Sequence, residues 1–296
     1  MKIIIPKKHG DFKEIESKRD VFPKKEWKVT QSLCPGWKAG SGASDDEWKG
    51  KKMIGIDPYG TVGLFLVPLG KFKREVPDLI NYRFVSSVSK DGIRNLAPFS
   101  YTNLCGHDPP IFTIGFSLAG GKFKDTMQNI VDTGECVINI ISEWFAEAAN
   151  YTSIDAPADV DEWTLSGLTP VESTKVKPPR VGESAFVVEG KLVNHQIFKS
   201  LVTGKDSSGL VVVQGIQMHV REDVVNEELN LIDLALLKPI SRLGGIMYGR
   251  VSEGFELQRP VFEEERKKED DIKRAIFQIE HGELRKQHEA RRGYVG

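Results

Sequence analysis

The apolar positions of this chain fall in short runs punctuated by glycine and proline, and the clearest of these runs lie between Phe84 and Asn139. Phe84-Val85-Ser86-Ser87-Val88 is short and β-prone, Asp91-Gly92 is a tight-turn pair, and Ile93 to Phe99 is short again, which predicts a hairpin. Pro98 cannot donate a ladder hydrogen bond. The second strand is therefore expected to end or bulge there, leaving Ser100, Tyr101 and Asn103 on a loop at the sheet's rim, where a ligand is expected. Ile111 to Phe116 is apolar, β-branched and aromatic, and the rigid Asp108-Pro109-Pro110 corner launches it as a third strand. Cys136 to Ile141 reads as a buried strand, after which Ser142 is placed to cap a helix carrying Trp144, Phe145 and Ala148.

The pattern changes period once inside this region. Met127, Ile130 and Val131 share one face of a predicted helix over Thr126–Thr133, with Asp125 as its N-cap and Gly134 as its stop. The free amides of that helix start, the Thr126 hydroxyl and the Lys124 ammonium would suit a phosphate; an ordinary capped surface helix has the same sequence. Further on, Tyr151 to Arg180 is broken by Pro157, Pro170, Pro178 and Pro179 into loops. Ser184–Val193 and Gly209–Val220 read as two long antiparallel strands joined by a turn at Lys205–Gly209. One more strand is expected around Val62–Gly70. His195 and His219 lie on or beside the long strands and read as surface or packing residues, with no metal site indicated.

The series Val85-Ser86-Ser87, Asp91-Gly92, Asn95-Leu96-Ala97-Pro98-Phe99-Ser100-Tyr101, Asp108-Pro109-Pro110, Lys124-Asp125-Thr126 with Asn129, and Val137-Ile138-Asn139 resembles the flavin reductase-like, FMN-binding split-barrel family. Gly167-Leu168-Thr169-Pro170, Pro178-Pro179-Arg180-Val181 with Glu183-Ser184, and Arg242-Leu243-Gly244-Gly245 with Tyr248 continue it in the family's order. The resemblance implies a mainly β fold, an antiparallel split β-barrel with a few peripheral helices, holding FMN and working as a homodimer with the site at the subunit junction. It implies a flavin-dependent oxidoreductase in which FMN accepts a hydride from NADH or NADPH and passes electrons to free flavin or another small-molecule acceptor. The alternatives are a non-enzymatic FMN-binding electron carrier or sensor, and a barrel that has lost its cofactor. The cofactor contacts implied are Ser86, Ser87, Asn95, Ala97, Pro98, Ser100, Tyr101, Asn103, Lys124, Asp125, Thr126, Asn129, Arg242 and Tyr248. No catalytic side chain is required, because flavin N5 carries the chemistry. In one respect the chain departs from its relatives. Their strand before the two serines reads like Pro-Arg-Pro-Ile-Ala-Phe, whereas here it is Val76 to Phe84, so the familiar arginine is out of place and Arg83 or Arg74 would have to replace it.

Composition narrows the rest. Lys and Arg number 41 against 42 Asp and Glu, which offers no electrostatic footprint for nucleic acid or an anionic membrane. Three scattered cysteines, Cys34, Cys105 and Cys136, indicate neither a disulfide framework nor a zinc ribbon. Ile3-Ile4-Ile5 before Pro6 cannot serve as a signal-peptide core, and a cytoplasmic location is expected. There is no nucleophile elbow, phosphate loop or dinucleotide fingerprint. Residues 1–52 form an N-terminal arm rich in tryptophan (Trp27, Trp37, Trp48) with a glycine-rich loop around Trp37, as in fungal-type members of the family. The arm is expected to pack over the barrel or a partner subunit and to act as a lid over the flavin, ahead of a barrel domain over 53–260. Residues 261–296 balance nine acids against nine bases as a charged helix or tail.

Overall fold

The β-prone runs assemble into one antiparallel sheet whose order is not that of the sequence. In the computed structural model the described residues are 17–18, 30–57, 83–227, 229, 231–253 and 261–265. The chain divides into a unit of Lys28–Glu253 and a second of Met1–Trp27 with Gly254–Gly296. Within the first, the strands are β1 (Met53–Ile56), β2 (Arg83–Val88), β3 (Arg94–Phe99), β4 (Thr102–His107), β5 (Pro110–Ser117), β6 (Glu135–Ile140), β9 (Phe186–Lys199) and β10 (Asp206–Arg221). They are ordered β3-β2-β6-β9-β10-β5-β4, with β1 added to β10. Two small ribbons, β7 (Pro170–Val171) with β8 (Arg180–Val181) and β11 (Ile240–Gly244) with β12 (Met247–Arg250), stand apart. The helices used below are α1 (Asp125–Thr133), α2 (Ala146–Tyr151), α3 (Glu162–Ser166) and α4 (Leu234–Leu237). In the second unit the described helical turn is Phe262–Glu265.

The expected hairpin forms, with Val85 opposite Ala97 and Ser87 opposite Asn95. Pro98 does not break β3. It sits opposite Phe84, and β3 is the terminal strand of the sheet, where a missing donor on the outer edge costs no ladder bond. The loop expected after it is shorter than its sequence suggests. Only Ser100 and Tyr101 form the bend, and Asn103 belongs to β4, opposite Thr113. Thr102–His107 lacks the apolar alternation that marks a strand; the open edge of β5 recruits it through the backbone. Gly115 makes the bend possible. Its amide donates to the Tyr101 carbonyl at 2.8 Å, and a Cβ there would lie 2.9 Å from that of Tyr101.

Alternation along β5 puts Phe112, Ile114 and Phe116 inside, where they join Phe84, Leu96, Met127, Ile130, Ile138 and Phe145. Strand β6 is buried on both sides, and burial pushes its Cys136 thiol up to about 12, consistent with an inert core thiol. The two long strands pair as expected, but both run further, so the turn is at Ser200–Lys205 rather than Lys205–Gly209. Ser142 precedes a 3-10 turn at Glu143–Phe145, yet its hydroxyl makes no cap bond. Trp144, Phe145 and Ala148 are buried as the pattern requires. The strand expected around Val62–Gly70, Arg74, and most of residues 1–29 and 261–296 lie outside the described residues. Among the described residues no helix is long and apolar enough to cross a membrane, and no cluster of side chains suits a metal ion.

Candidate functional site

A cavity of about 920 Å³ opens where five pieces of chain meet. Its wall takes Asn95, Ala97, Pro98 and Phe99 from the end of β3, Ser100 and Tyr101 from the bend, and Gly115–Ser117 from β5. Lys122–Thr126 closes one side as it enters α1, Thr152–Ala156 with Ala158 and Glu162 another, and Arg242, Gly244 and Gly245 come from the β11–β12 hairpin. Phe99 and Phe116 meet edge to face, centroids 4.8 Å apart, and stiffen the floor. The volume is within the range of small-molecule pockets.

The start of α1 differs from the expected one. Asp125 is the first residue of the helix, and the capping position belongs to Lys124, which has extended backbone and no side-chain cap bond. The first-turn amides are thus not taken by a cap. At the far end Gly134 stops the helix in a left-handed conformation, its amide donating to the Ile130 carbonyl at 2.9 Å.

Nine of the expected contact residues line the cavity: Asn95, Ala97, Pro98, Ser100, Tyr101, Lys124, Asp125, Thr126 and Arg242. Ser87 and Asn129 stand behind this wall. Asn129 Nδ2 donates to Ser87 Oγ at 3.1 Å, while Asn95 Nδ2 reaches Ser87 Oγ at 3.3 Å and Thr126 Oγ1 at 2.7 Å. This buried quartet fixes Asn95 and Thr126, the two members that reach the cavity. Ser86 points the other way, as its neighbour in a strand must, and donates to the Pro179 carbonyl. Asn103, exposed on β4, also lies away from the wall. Tyr248 acts through Arg242, whose guanidinium lies 4.7 Å from the ring centroid and bonds the phenol and the Gly245 carbonyl. The phenol in turn donates to Asn150 Oδ1 at 2.6 Å, tying the hairpin to α2. Arg83 is buried at the head of β2 rather than on the cavity wall, and burial lowers it to about 10.

Sequence reasoning missed Glu162, a carboxylate in the wall that is only 7% exposed. Its Oε2 accepts the Leu96 amide at 3.2 Å on the outer edge of β3. Burial raises its pKa, opposed by the Leu96 amide and its own, and reinforced by Asp125 and Asp161. The Asp161-Glu162-Trp163 start of α3, with Asp161 Oδ1 accepting the Trp163 amide at 3.0 Å, was the available signal.

The flavin reductase like domain matches residues 82–237, more than half of the 296-residue chain. The chain belongs to the flavin reductase-like family. Membership supports FMN as the cofactor. Among solved structures, this flavin reductase-like chain is similar to nitrilotriacetate monooxygenase component B from Bacillus cereus, at 31% identity and a TM-score of 0.57 over 64% of this chain and 93% of that one. It is also similar to the 2-nitrobenzoate 2-nitroreductase NbaA of Pseudomonas fluorescens, at 27% identity and 0.53 over 66% and 92%. An FMN-binding domain from Shewanella baltica, 16% identical with a TM-score of 0.54 over 70% and 98%, shares the split-barrel fold. The uncharacterized protein YwrF of Bacillus subtilis is 36% identical over 177 residues, 60% of this chain and 86% of YwrF.

The amide-rich start of α1, Lys124 and Arg242 suit a phosphate, and the backbone and small side chains of Ala97–Ser100 suit the edge of a flat ring. The residues fit FMN, with three carboxylates, Asp125, Asp155 and Glu162, also in the wall.

Proposed function

We propose that this protein is a flavin-dependent oxidoreductase that binds FMN in the cavity at the end of β3, takes a hydride from NADH or NADPH, and passes electrons to free flavin or another small acceptor. The observation that carries the reading is the convergence on one cavity of β3's end, the uncapped start of α1 and the Arg242 hairpin. When bound, FMN supplies the ring that accepts the hydride. Lys124, Thr126 and the first amides of α1 would hold its phosphate end, assisted by Arg242. Asn95, Ala97, Pro98 and Ser100 would orient the ring, with Ser87 and Asn129 holding Asn95 in place. The similarity to a monooxygenase component and to a nitroreductase supports redox work with a small acceptor.

We place the working form as a homodimer, supported by apolar side chains left on the surface at the β9–β10 tip (Leu201, Val202) and the β11–β12 tip (Ile246). The purified protein tests the main reading directly. It should be yellow or take up FMN with quenching of flavin fluorescence, and its visible absorbance should bleach anaerobically on addition of NADH or NADPH. A yellow protein that neither nucleotide bleaches is an electron carrier or sensor, and a protein that fails to bind FMN overturns both.

A further inference from the structure

The wall of the cavity carries three cations, Lys122, Lys124 and Arg242, and three carboxylates, Asp125, Asp155 and Glu162. The wall is therefore neutral before a phosphorylated ligand enters, and the carboxylates are not equivalent. Residues Asp125 and Asp155 are exposed and can be screened by water, whereas Glu162 is buried. The donors to Glu162 are two backbone amides, Leu96's and its own, and among the described residues no cation forms an ion pair with it. Arg94, two residues before Leu96, is committed to Asp161 at 2.5 Å.

We propose that a phosphorylated flavin enters this cavity with uptake of a proton at Glu162, whereas the unphosphorylated flavin enters without it. The inference rests on the proposed FMN reading of the site. The physical reason is that a buried carboxylate and a phosphate sharing one cavity repel each other, and a proton drawn from solvent onto the carboxyl removes that repulsion. The neighbouring carboxylates push in this direction, and the cations of the wall oppose it only until a phosphate claims them. Asp125 faces Glu162 from α1, and Asp161 adds negative charge from α3 even while it holds Arg94. The cations Lys122, Lys124 and Arg242 stand in the same wall and are the partners a phosphate would claim. Protonated Glu162 still accepts the Leu96 amide through its carbonyl oxygen, so the edge of β3 keeps its shape while the wall changes from neutral to net positive. Glu162 is thus a specificity-determining residue, and its ionisation links the pH to the choice between FMN and riboflavin.

Isothermal titration of FMN and of riboflavin into wild type and Glu162→Gln, at pH 7 in two buffers of different ionisation enthalpy, counts the protons exchanged. Wild type should take up more protons per FMN than Glu162→Gln, by up to about one, with no such difference for riboflavin. At pH 8 the variant should bind FMN more tightly, on the order of tenfold, with riboflavin affinity unchanged. Equal proton counts for FMN in the two proteins overturn the inference, as does the same uptake with riboflavin. Should the variant fold poorly, wild type alone decides: its FMN affinity relative to riboflavin should fall between pH 7 and 8, and a flat or rising ratio refutes the coupling. Ionisation of the ligand's own phosphate, near pH 6, acts in the opposite sense. Failure of wild type to bind FMN at all sinks the proposed function and this inference together.

Discussion

Lys124 and Thr126 are neighbours in sequence but have different work in the folded chain. Lys124 is exposed at the mouth of α1, whereas Thr126 is 2% exposed and accepts a hydrogen bond from Asn95. A hydrogen bond to a charged group is worth about 1.5–3 kcal/mol, so Lys124→Ala should weaken FMN about ten- to a hundredfold and leave riboflavin nearly unchanged. Thr126→Ala should weaken both flavins, because it also frees Asn95, which is proposed to orient the ring. Fluorescence titration of the two ligands against each variant separates the cases; riboflavin losses equal to those of FMN in Lys124→Ala would misplace the phosphate. A second residue-scale test concerns Glu189, fully buried on β9. Its carboxylate faces His219 Nε2 at 2.5 Å and accepts the amides of Thr174 and Lys175 at 2.8 and 2.6 Å. Burial pushes this carboxyl up, but the His219 ring and the loop donors outweigh it and bring it down from 4.5 to about 2. A depressed carboxyl stabilises the fold in full above its unfolded value, and that contribution drains away as pH falls from about 4.5 through about 2. Glu189→Gln should therefore cost on the order of 3 kcal/mol at pH 7, with the gap to wild type closing below pH 4.5 in denaturant titrations. An unchanged gap at pH 2.5 would show that the charge is not the cause.

At the scale of elements, the glycine-rich loop around Trp37 is a clasp on α3 rather than a wall of the cavity. Trp37 lies against Tyr151 at 5.2 Å, its indole N–H donates to the Gly42 carbonyl, and the amides of Gly40 and Gly42 donate to Leu165 and Ser166. The described part of the arm adds no residue to the cavity, so the lid expected of Trp37 is not built by this loop. The docking depends on Gly167, which has φ 72° and where a Cβ would come within 2.2 Å of the Gly40 carbonyl oxygen. Gly167→Ala should cost about 2–5 kcal/mol, from left-handed backbone strain and from the clash. In a chain lacking residues 1–44 the clash disappears and the same substitution should cost only about 1–2 kcal/mol. Urea unfolding of the four proteins gives the comparison, and equal costs in both backgrounds would deny the contact.

For the whole molecule, light scattering at micromolar concentration should report about twice the 33.1 kDa chain mass, and a monomer that still binds FMN would remove the shared-site idea. The local pattern alone determined the glycine-turn hairpin, the buried strand at Cys136, the helix after Lys124 with its Gly134 stop, and the long antiparallel pair. Each of these is set by neighbours a few residues apart: side-chain period, turn chemistry and caps. The ordered motifs also marked most of the cavity wall, because the segment from Asn95 to Tyr101 and the start of α1 are continuous pieces of chain. Tertiary structure decided the rest. Strand β4 exists because β5 offers an open edge, and neither its composition nor its period announces it. Ser86 and Ser87 differ only in which face of β2 they occupy, so one reaches the Pro179 loop and the other the quartet under the cavity. Arg242 meets the wall from more than a hundred residues downstream, and Glu162 enters it because α3 docks on the outer edge of β3. The Glu189–His219 pair is likewise brought together from positions 30 apart on paired strands. Contacts of this kind depend on which distant segments fold against one another, and no short-range periodicity in a single sequence encodes them.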